Sequence, residues 1–213
     1  MKKKFVAILI ALGILMFATF TKGAIEVGVE KDDWIEYTVT TSGTPPDAHH
    51  IIWARMEILD VNGTVFSANI TSEFPNGTFA SAVRHFNFEE GQVQAWIIIP
   101  ANLSPGDSFY DVSIGRNVTI EGQEAKSVAG AVRTITHASN AQKYKEWDKI
   151  TGVYTFTRDS LESYSVNATA IATNMWSPQI FGLDQTVFFG IVIAIVVVVI
   201  VALAVLLLAR RKK

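Results

Sequence analysis

Cysteine is missing from this chain. Its absence excludes disulfides, thiolate metal sites, lipoprotein acylation and a cysteine nucleophile together. Histidine is scarce, with only His49, His50, His85 and His137, and none falls in an HxH or HExxH spacing. Adjacent strand residues point to opposite faces, so His49 and His50 do not share a metal unless a turn bends them together. There is no GxSxG, no SxxK and no glycine-rich phosphate loop. The acidic pairs Asp32-Asp33 and Glu89-Glu90 read as solvated turns beside strands. No catalytic residue, metal ligand or cofactor is assigned, and the expectation is a protein that is not an enzyme.

Basic charge is also sparse where it would matter. All 20 acidic residues lie between Glu26 and Asp184, together with only ten of the 18 lysines and arginines, so this stretch carries a formal charge of −10 before histidines. Such a surface disfavours nucleic acid and anionic membranes as partners. The remaining eight basic residues sit at the two ends, beside apolar runs.

Those runs set the organisation. Val187–Ala209 is 23 residues long and uncharged. As a helix it would span roughly 34 Å, enough for a hydrocarbon core of about 30 Å. Arg210, Arg211, Lys212 and Lys213 follow as a cytoplasmic basic tail. At the start, Lys2, Lys3 and Lys4 precede the apolar run Phe5–Phe20, and Thr21 and Gly23 suit a signal-peptidase site. The expected division is a signal peptide over 1–23, cleaved or retained as an anchor, and an extracellular β domain over 24–180. A juxtamembrane piece over 181–186, the transmembrane helix over 187–209 and the tail over 210–213 complete it. The location this implies is the plasma membrane, crossed once, with the large domain outside.

No segment before the last run has helical periodicity. Instead, short runs rich in Val, Ile, Thr, Tyr, Phe and Trp alternate with turn residues, as antiparallel strands require. The expected strands are Trp34–Thr41, His50–Val61, Thr64–Thr71, Thr78–Phe88, Val93–Ile99, Ser108–Ile114, Asn117–Glu121, Val128–His137, Ala141–Trp147, Val153–Asp159 and Ser163–Met175. Asn62-Gly63 and Asn76-Gly77 are hairpin turns by composition. The fold class is mainly β, an antiparallel sheet domain plus one C-terminal transmembrane helix. Two sheets closing as a sandwich are favoured over an open half-barrel, because sandwiches are the commoner way to cover a sheet.

Six N-x-S/T sequons occur, at Asn62, Asn69, Asn76, Asn102, Asn117 and Asn167. Asn69, Asn117 and Asn167 fall on the polar phase of their strands, against Phe66 and Ile70, Val118 and Ile120, and Tyr164 and Val166. A glycan there would stand in water. Asn102 is the weakest acceptor, since Pro105 follows its Ser104.

Trp34, Trp53, Trp96 and Trp147 fall in or beside strands as core candidates, whereas Trp176, with Phe181, Phe188 and Phe189, suits a membrane-interface belt. His50–Val61 is apolar on both phases and is expected to be central or to line a cavity. The cavity residues would be Ile51, Trp53, Phe66 and Trp96.

Lys145-Glu146-Trp147-Asp148-Lys149-Ile150-Thr151-Gly152-Val153 resembles the aromatic-Asp-Lys-x-Thr-Gly hairpin of exported half-barrels of the lipoprotein-carrier class. In those a curved sheet holds a lipid; only the hairpin matches, so no lipid-binding residue carries over. Gly28, Asp33, Trp34 and Tyr37, with Ile99-Pro100-Ala101, Leu103, Gly106 and Asp107, resemble archaeal cell-surface proteins that combine a signal peptide, a sequon-rich β ectodomain and a C-terminal anchor. That resemblance implies an architecture and no activity. The leading expectation is a non-catalytic single-pass glycoprotein whose β ectodomain binds or spaces an envelope component. A membrane-tethered carrier or sensor of lipid or isoprenoid is second, and an unrecognised hydrolase or metal enzyme third. The partners expected are the membrane and an envelope protein or lipid.

Overall fold

The computed structural model describes residues 25–180 and 182–211; the expected signal peptide, Ala24, Phe181, Lys212 and Lys213 lie outside them. The β domain is built on one nine-stranded antiparallel sheet in the order β4-β3-β2-β1-β11-β10-β9-β8-β7. Its strands are β1 (Trp34–Gly43), β2 (Trp53–Asn62), β3 (Val65–Glu73), β4 (Phe79–Asn87), β7 (Gly122–Val128), β8 (Ala131–Ser139), β9 (Lys143–Asp148), β10 (Tyr154–Ser160) and β11 (Tyr164–Thr173). A separate two-stranded ribbon pairs β5 (Ser108–Asp111) with β6 (Arg116–Thr119). Every neighbouring pair within the large sheet is antiparallel, and each except β1–β11 is joined through its own hairpin or short link. Bulges in β11, β2 and β10 interrupt the ladders, and such bulges strengthen the twist of a sheet.

One sheet therefore does the work expected of two. Its apolar face carries Ile35, Tyr37, Met56, Ile58, Phe66, Phe86, Trp147, Ala168 and Ala170, all buried. The layer over that face is the long connection between β4 and β7, which supplies Phe88, Val93, Trp96, Ile98, Ile99, Phe109, Val118 and Ile120 to the same core. A connection can cover a sheet in this way when it brings enough apolar side chains to exclude water, at about 25 cal/mol per Å² removed.

One expected strand takes another form, and one strand was unforeseen. Val93–Ile99 is not a strand. It contains a tight 3-10 turn, Gln94–Trp96, whose three residues all have positive φ. The run is apolar because it caps the core, with the Trp96 indole donating to Asp111 Oδ2 at 2.6 Å. Conversely, β7 was not expected, because Gln123-Glu124-Ala125-Lys126-Ser127 has no apolar alternation. It is an edge strand that faces solvent along most of its length and is held by its ladder to β8.

The hairpin between β9 and β10 locks the layers together. Asp148 is fully buried, and its Oδ1 accepts from the Thr151 amide at 2.9 Å and the Thr151 hydroxyl at 3.0 Å. Gly152 has φ +71°, and a Cβ there would lie 2.0 Å from the Ile99 carbonyl oxygen. That close approach lets Ile99 N donate to Gly152 O at 3.0 Å and Asn102 N to Lys149 O at 2.7 Å. The segment resembling a carrier hairpin thus serves here as the clamp between sheet and cover.

After β11 the chain packs back on the sheet before leaving it. The Trp176 indole donates to Val128 O at 3.2 Å and lies under the Arg133 guanidinium at 4.8 Å, so Trp176 is part of the fold and not of an interfacial belt. Gln179 N donates to Gly130 O at 2.7 Å. Then come the short strands β12 (Gln179–Ile180) and β13 (Leu183–Asp184) and the helix α1 (Gln185–Arg211). Over Gln185–Leu203 this helix is long and apolar enough to cross a membrane, and none of that stretch is buried.

Candidate functional site

A cleft of about 920 Å³ lies on the cover, lined by residues from Ile25–Glu26, Phe88–Val93, Pro100–Tyr110 and Asn117. Its shape follows from the clamp. The Ala101 amide donates to Glu26 O at 2.9 Å and holds the N-terminal segment as one wall, while the β5–β6 ribbon forms the other. Phe88, Val93 and Phe109 make an apolar floor, and Glu26, Glu89 and Asp107 an acidic rim, with no lysine or arginine in the lining. The chemistry available is binding: apolar contact below and acceptor oxygens above. A second hollow of about 520 Å³ lies near Asp47, His50, Phe74 and Asn76.

The four expected cavity residues do not meet in either hollow. Phe66 stacks on Phe86 at 4.5 Å within the core, and Trp96 is buried against Trp147 and Phe109. Ile51 packs half-buried on the core edge. Trp53 lies on the opposite face of the sheet, edge-on to Phe79. There it pairs with Glu73, and the neighbouring Arg55 stacks on Trp34. The doubly apolar stretch of β2 is thus covered on one face and half-open on the other.

Of the sequons, Asn62, Asn76, Asn102 and Asn117 are exposed and Asn69 and Asn167 half-buried. Of the residues read on the opposing phase, Phe66, Val118 and Ile120 are buried, whereas Ile70, Tyr164 and Val166 are half-buried, as Asn69 and Asn167 themselves are. The Asn102 amide donates to Glu26 Oε2 at 2.7 Å, a bond that occupies the nitrogen a glycan would need. Among the described residues no three His, Asp or Glu side chains converge as a metal site. His49 Nδ1 instead bonds the Tyr164 hydroxyl.

Sequence reasoning missed the densest polar chemistry, which is in β9. Lys145, Glu146, Trp147 and Asp148 are all buried. On one sheet face Arg133 grips Asp148 through Nε and Nη2 at 2.7 and 3.1 Å. On the same face Lys126 holds Glu146 at 2.6 Å, with the Tyr144 hydroxyl donating to Glu146 at 3.1 Å. Tyr144 is pushed up to about 12 by burial and by that carboxylate. On the core face Tyr37 stacks on Tyr154 at 4.2 Å, and burial raises both phenols well above their ordinary value. Lys145 lies beside the Tyr154 ring at 5.4 Å, and desolvation lowers its ammonium to about 8, opposed in part by Asp159. The signal that could have exposed β9 was its partner content, a Lys-x-Lys-Glu-Trp-Asp strand opposite a strand carrying Arg133. No protein family, characterised protein or solved structure matches this chain.

Proposed function

We propose that this is a non-catalytic, single-pass surface protein whose β domain binds an envelope ligand in the cleft on the cover. The observation that carries the reading is the cleft itself, which opens on the cover of a domain joined to an apolar span by only the short segment after Thr173. The apolar floor and acidic rim suit an uncharged or cationic amphiphile, or an apolar protein segment flanked by basic residues. In this reading the β domain lies outside the plasma membrane, the basic tail is cytoplasmic, and the exposed sequons Asn62, Asn76 and Asn117 carry glycans. Native mass spectrometry of the full chain, released from micelles, tests the reading. Wild-type protein is expected to retain an apolar adduct and Leu103→Asp to lose it. Recovery of both free of any adduct would remove the binding role and leave a spacer. Protease applied to intact cells is expected to strip the β domain and leave a stub bearing Lys213.

A second reading, a tethered carrier of lipid or isoprenoid, is favoured by one feature. The apolar sheet face is covered by a connection that includes only a two-stranded ribbon, and not by a second large sheet. Transfer of a labelled isoprenoid between vesicles, accelerated by the protein and abolished in Leu103→Asp, separates carrier from binder.

A further inference from the structure

The two edges of the large sheet are not guarded alike. β7 carries Glu124 and Lys126 along an otherwise uncharged strand, and charge, lysine above all, is a common guard against pairing with another chain. β4, at the other edge, has no charge over Phe79–Val83, which reads Phe-Ala-Ser-Ala-Val. Every residue from Phe79 to His85 is exposed, with Phe79 61 % and Val83 50 % open. The stretch is therefore bare on both faces as well as along its edge. A neutral, apolar edge without proline is a template for strand addition.

The ladder to β3 fixes which backbone groups are free. Phe88 N donates to Thr64 O at 3.1 Å and Phe74 N to Thr78 O at 3.0 Å, and both pairs continue the register that runs from Val65↔Asn87 to Glu73↔Phe79. Antiparallel ladders alternate, so the even-numbered residues of β4 bond to β3 and the odd-numbered ones turn their N–H and C=O outward. Two outward carbonyls already have partners. Asn87 O accepts from Gln92 N at 2.9 Å, and His85 O from the Gln94 side-chain amide at 2.8 Å. These bonds cap one end of the edge. Phe79, Ser81 and Val83 keep their outward groups open, with no neighbouring strand among the described residues.

We propose that Phe79–Val83 is a strand-addition site whose occupant is a second copy of this chain, with β4 pairing antiparallel to β4 about a two-fold axis at Ser81. The register follows from the open groups. Only odd-numbered residues can exchange both bonds across the joint, and an axis at Ala82 would set Phe79 against the capped His85 carbonyl. With the axis at Ser81, Phe79 of each copy faces Val83 of the other, an aromatic–β-branched pair of the kind that stabilises sheets. The Phe79 ring is already edge-on to Trp53 at 6.5 Å, so the apolar patch continues through the joint. On the opposite face Ala80 meets Ala82, and Arg84 falls opposite Thr78. No like charges meet there, although each copy carries −10 over Glu26–Asp184. This self-complementarity of shape and charge is what assigns a second copy and not an unrelated strand. Phe79–Val83 is far shorter than the about 20–30 residues a side of a standard interface, so the pairing depends on concentration.

The chain has no cysteine, so one introduced thiol reports the joint. The full chain in detergent micelles carries Ser81→Cys, Phe79→Cys or Val83→Cys, and copper-phenanthroline oxidation is followed on non-reducing gels across a protein dilution series. Each variant is made with and without Asn76→Gln, because a glycan on the exposed Asn76 would stand beside the joint. Facing residues of a hydrogen-bonded pair have Cα atoms about 5.5 Å apart, within disulfide reach. The two copies of Val83 lie about 13 Å apart along the ladder, as do the two copies of Phe79. Ser81→Cys is therefore expected to crosslink to itself about tenfold faster than either other variant does alone, and Phe79→Cys mixed with Val83→Cys to form the heterodimer. Adding Val83→Lys to Ser81→Cys should abolish the crosslink, since a lysine there guards the edge without disturbing the core. Equal rates for the three single variants would mean random collision or contact through α1, and the proposal falls. It falls too if Ser81→Cys crosslinks equally with and without Val83→Lys, or does not crosslink in either Asn76 background. Crosslinking of Ser81→Cys in intact cells to a different polypeptide, and not to itself, would give the edge another partner and overturn the second copy. None of Phe79–Val83 lines the cleft, so Leu103→Asp leaves the crosslink unchanged, which separates this failure from failure of the binding function.

Discussion

β9 and β4 belong to one sheet and are opposites in burial. Lys145–Asp148 is buried at four consecutive positions, whereas Phe79–His85 is exposed at seven. Hydropathy alone points the other way, since β9 reads Lys-Tyr-Lys-Glu-Trp-Asp and β4 begins Phe-Ala-Ser-Ala-Val. What decides is the material on each face. β9 has the cover with Trp96 on one side, and the long side chains of Lys126 and Arg133 with Trp176 on the other. β4 is an edge strand with a cover only at its end, where Phe86 stacks on Phe66. A charged strand can be interior if its charges are paired, and an apolar one can be exposed if nothing reaches it.

The comparison is broken most directly in β9. Trp147→Ala removes a fully buried side chain and its 2.8 Å hydrogen bond to Trp96 O. The expected loss is about 3–5 kcal/mol, read by chemical denaturation. Arg133→Ala leaves the buried Asp148 carboxylate without its cation and is expected to cost about 3 kcal/mol. Adding Asp148→Asn to Arg133→Ala should cost less than the two single changes together. If the changes instead add, the pair is not coupled and β9 is not stabilised through its charges.

Much of this architecture is legible in the sequence, and the reason differs by region. Strands such as β1, β2 and β10 announce themselves because one face is buried and the other wetter, which enforces alternation, whereas β4 and β9 are recognised by their strand-forming composition between turn residues. Asn62-Gly63 marks the turn between β2 and β3, although Asn62 is the last residue of β2 and only Gly63, at φ +62°, takes the left-handed conformation that both positions of a type I′ turn would need. The phase of Asn117 follows from the same alternation, since Asn117 is exposed and Val118 buried. Val93–Ile99 is not legible, because an apolar run of seven cannot be told from a core-capping turn by periodicity. β7 is missed because backbone pairing to β8 holds it with little side-chain burial. Phe66 and Trp96 are recognisable as core, but that Trp53 faces away depends on which side receives the cover. The charge pairing of β9 is not legible, because it depends on Lys126 of β7 and Arg133 of β8 being brought to its face.

Lys145 also gives the comparison a pH dependence. Its ammonium titrates near 8 in the fold and near its ordinary 10.5 in the unfolded chain. Between those values the unfolded state binds more protons, so stability rises with pH through that window. Above about pH 10 the sign reverses, because the unfolded chain releases phenolic protons that Tyr37, Tyr154 and Tyr144 retain when folded. Lys145→Met should raise stability at pH 7 by about 1–3 kcal/mol and flatten the rise between pH 8 and 10. A curve that keeps its rise in the variant would place the responsible group elsewhere.

The smallest effect is expected at the exposed end of β4. Val83 is 50 % exposed and faces Asn69 across the ladder, so Val83→Thr keeps a β-branched side chain and removes no core contact. Its cost should be within about 0.5 kcal/mol. Phe86→Ala, three residues on, should cost about 3–4 kcal/mol, because Phe86 is fully buried against Phe66. The two changes lie in one strand and share its backbone pairing, so their ratio isolates the cover. A large cost at Val83 in the full chain, measured against the same change at low protein concentration, would mean that this edge is paired with another polypeptide. β4 would then resemble β9 in being interior, and the contrast between the two strands would be a property of the isolated chain alone.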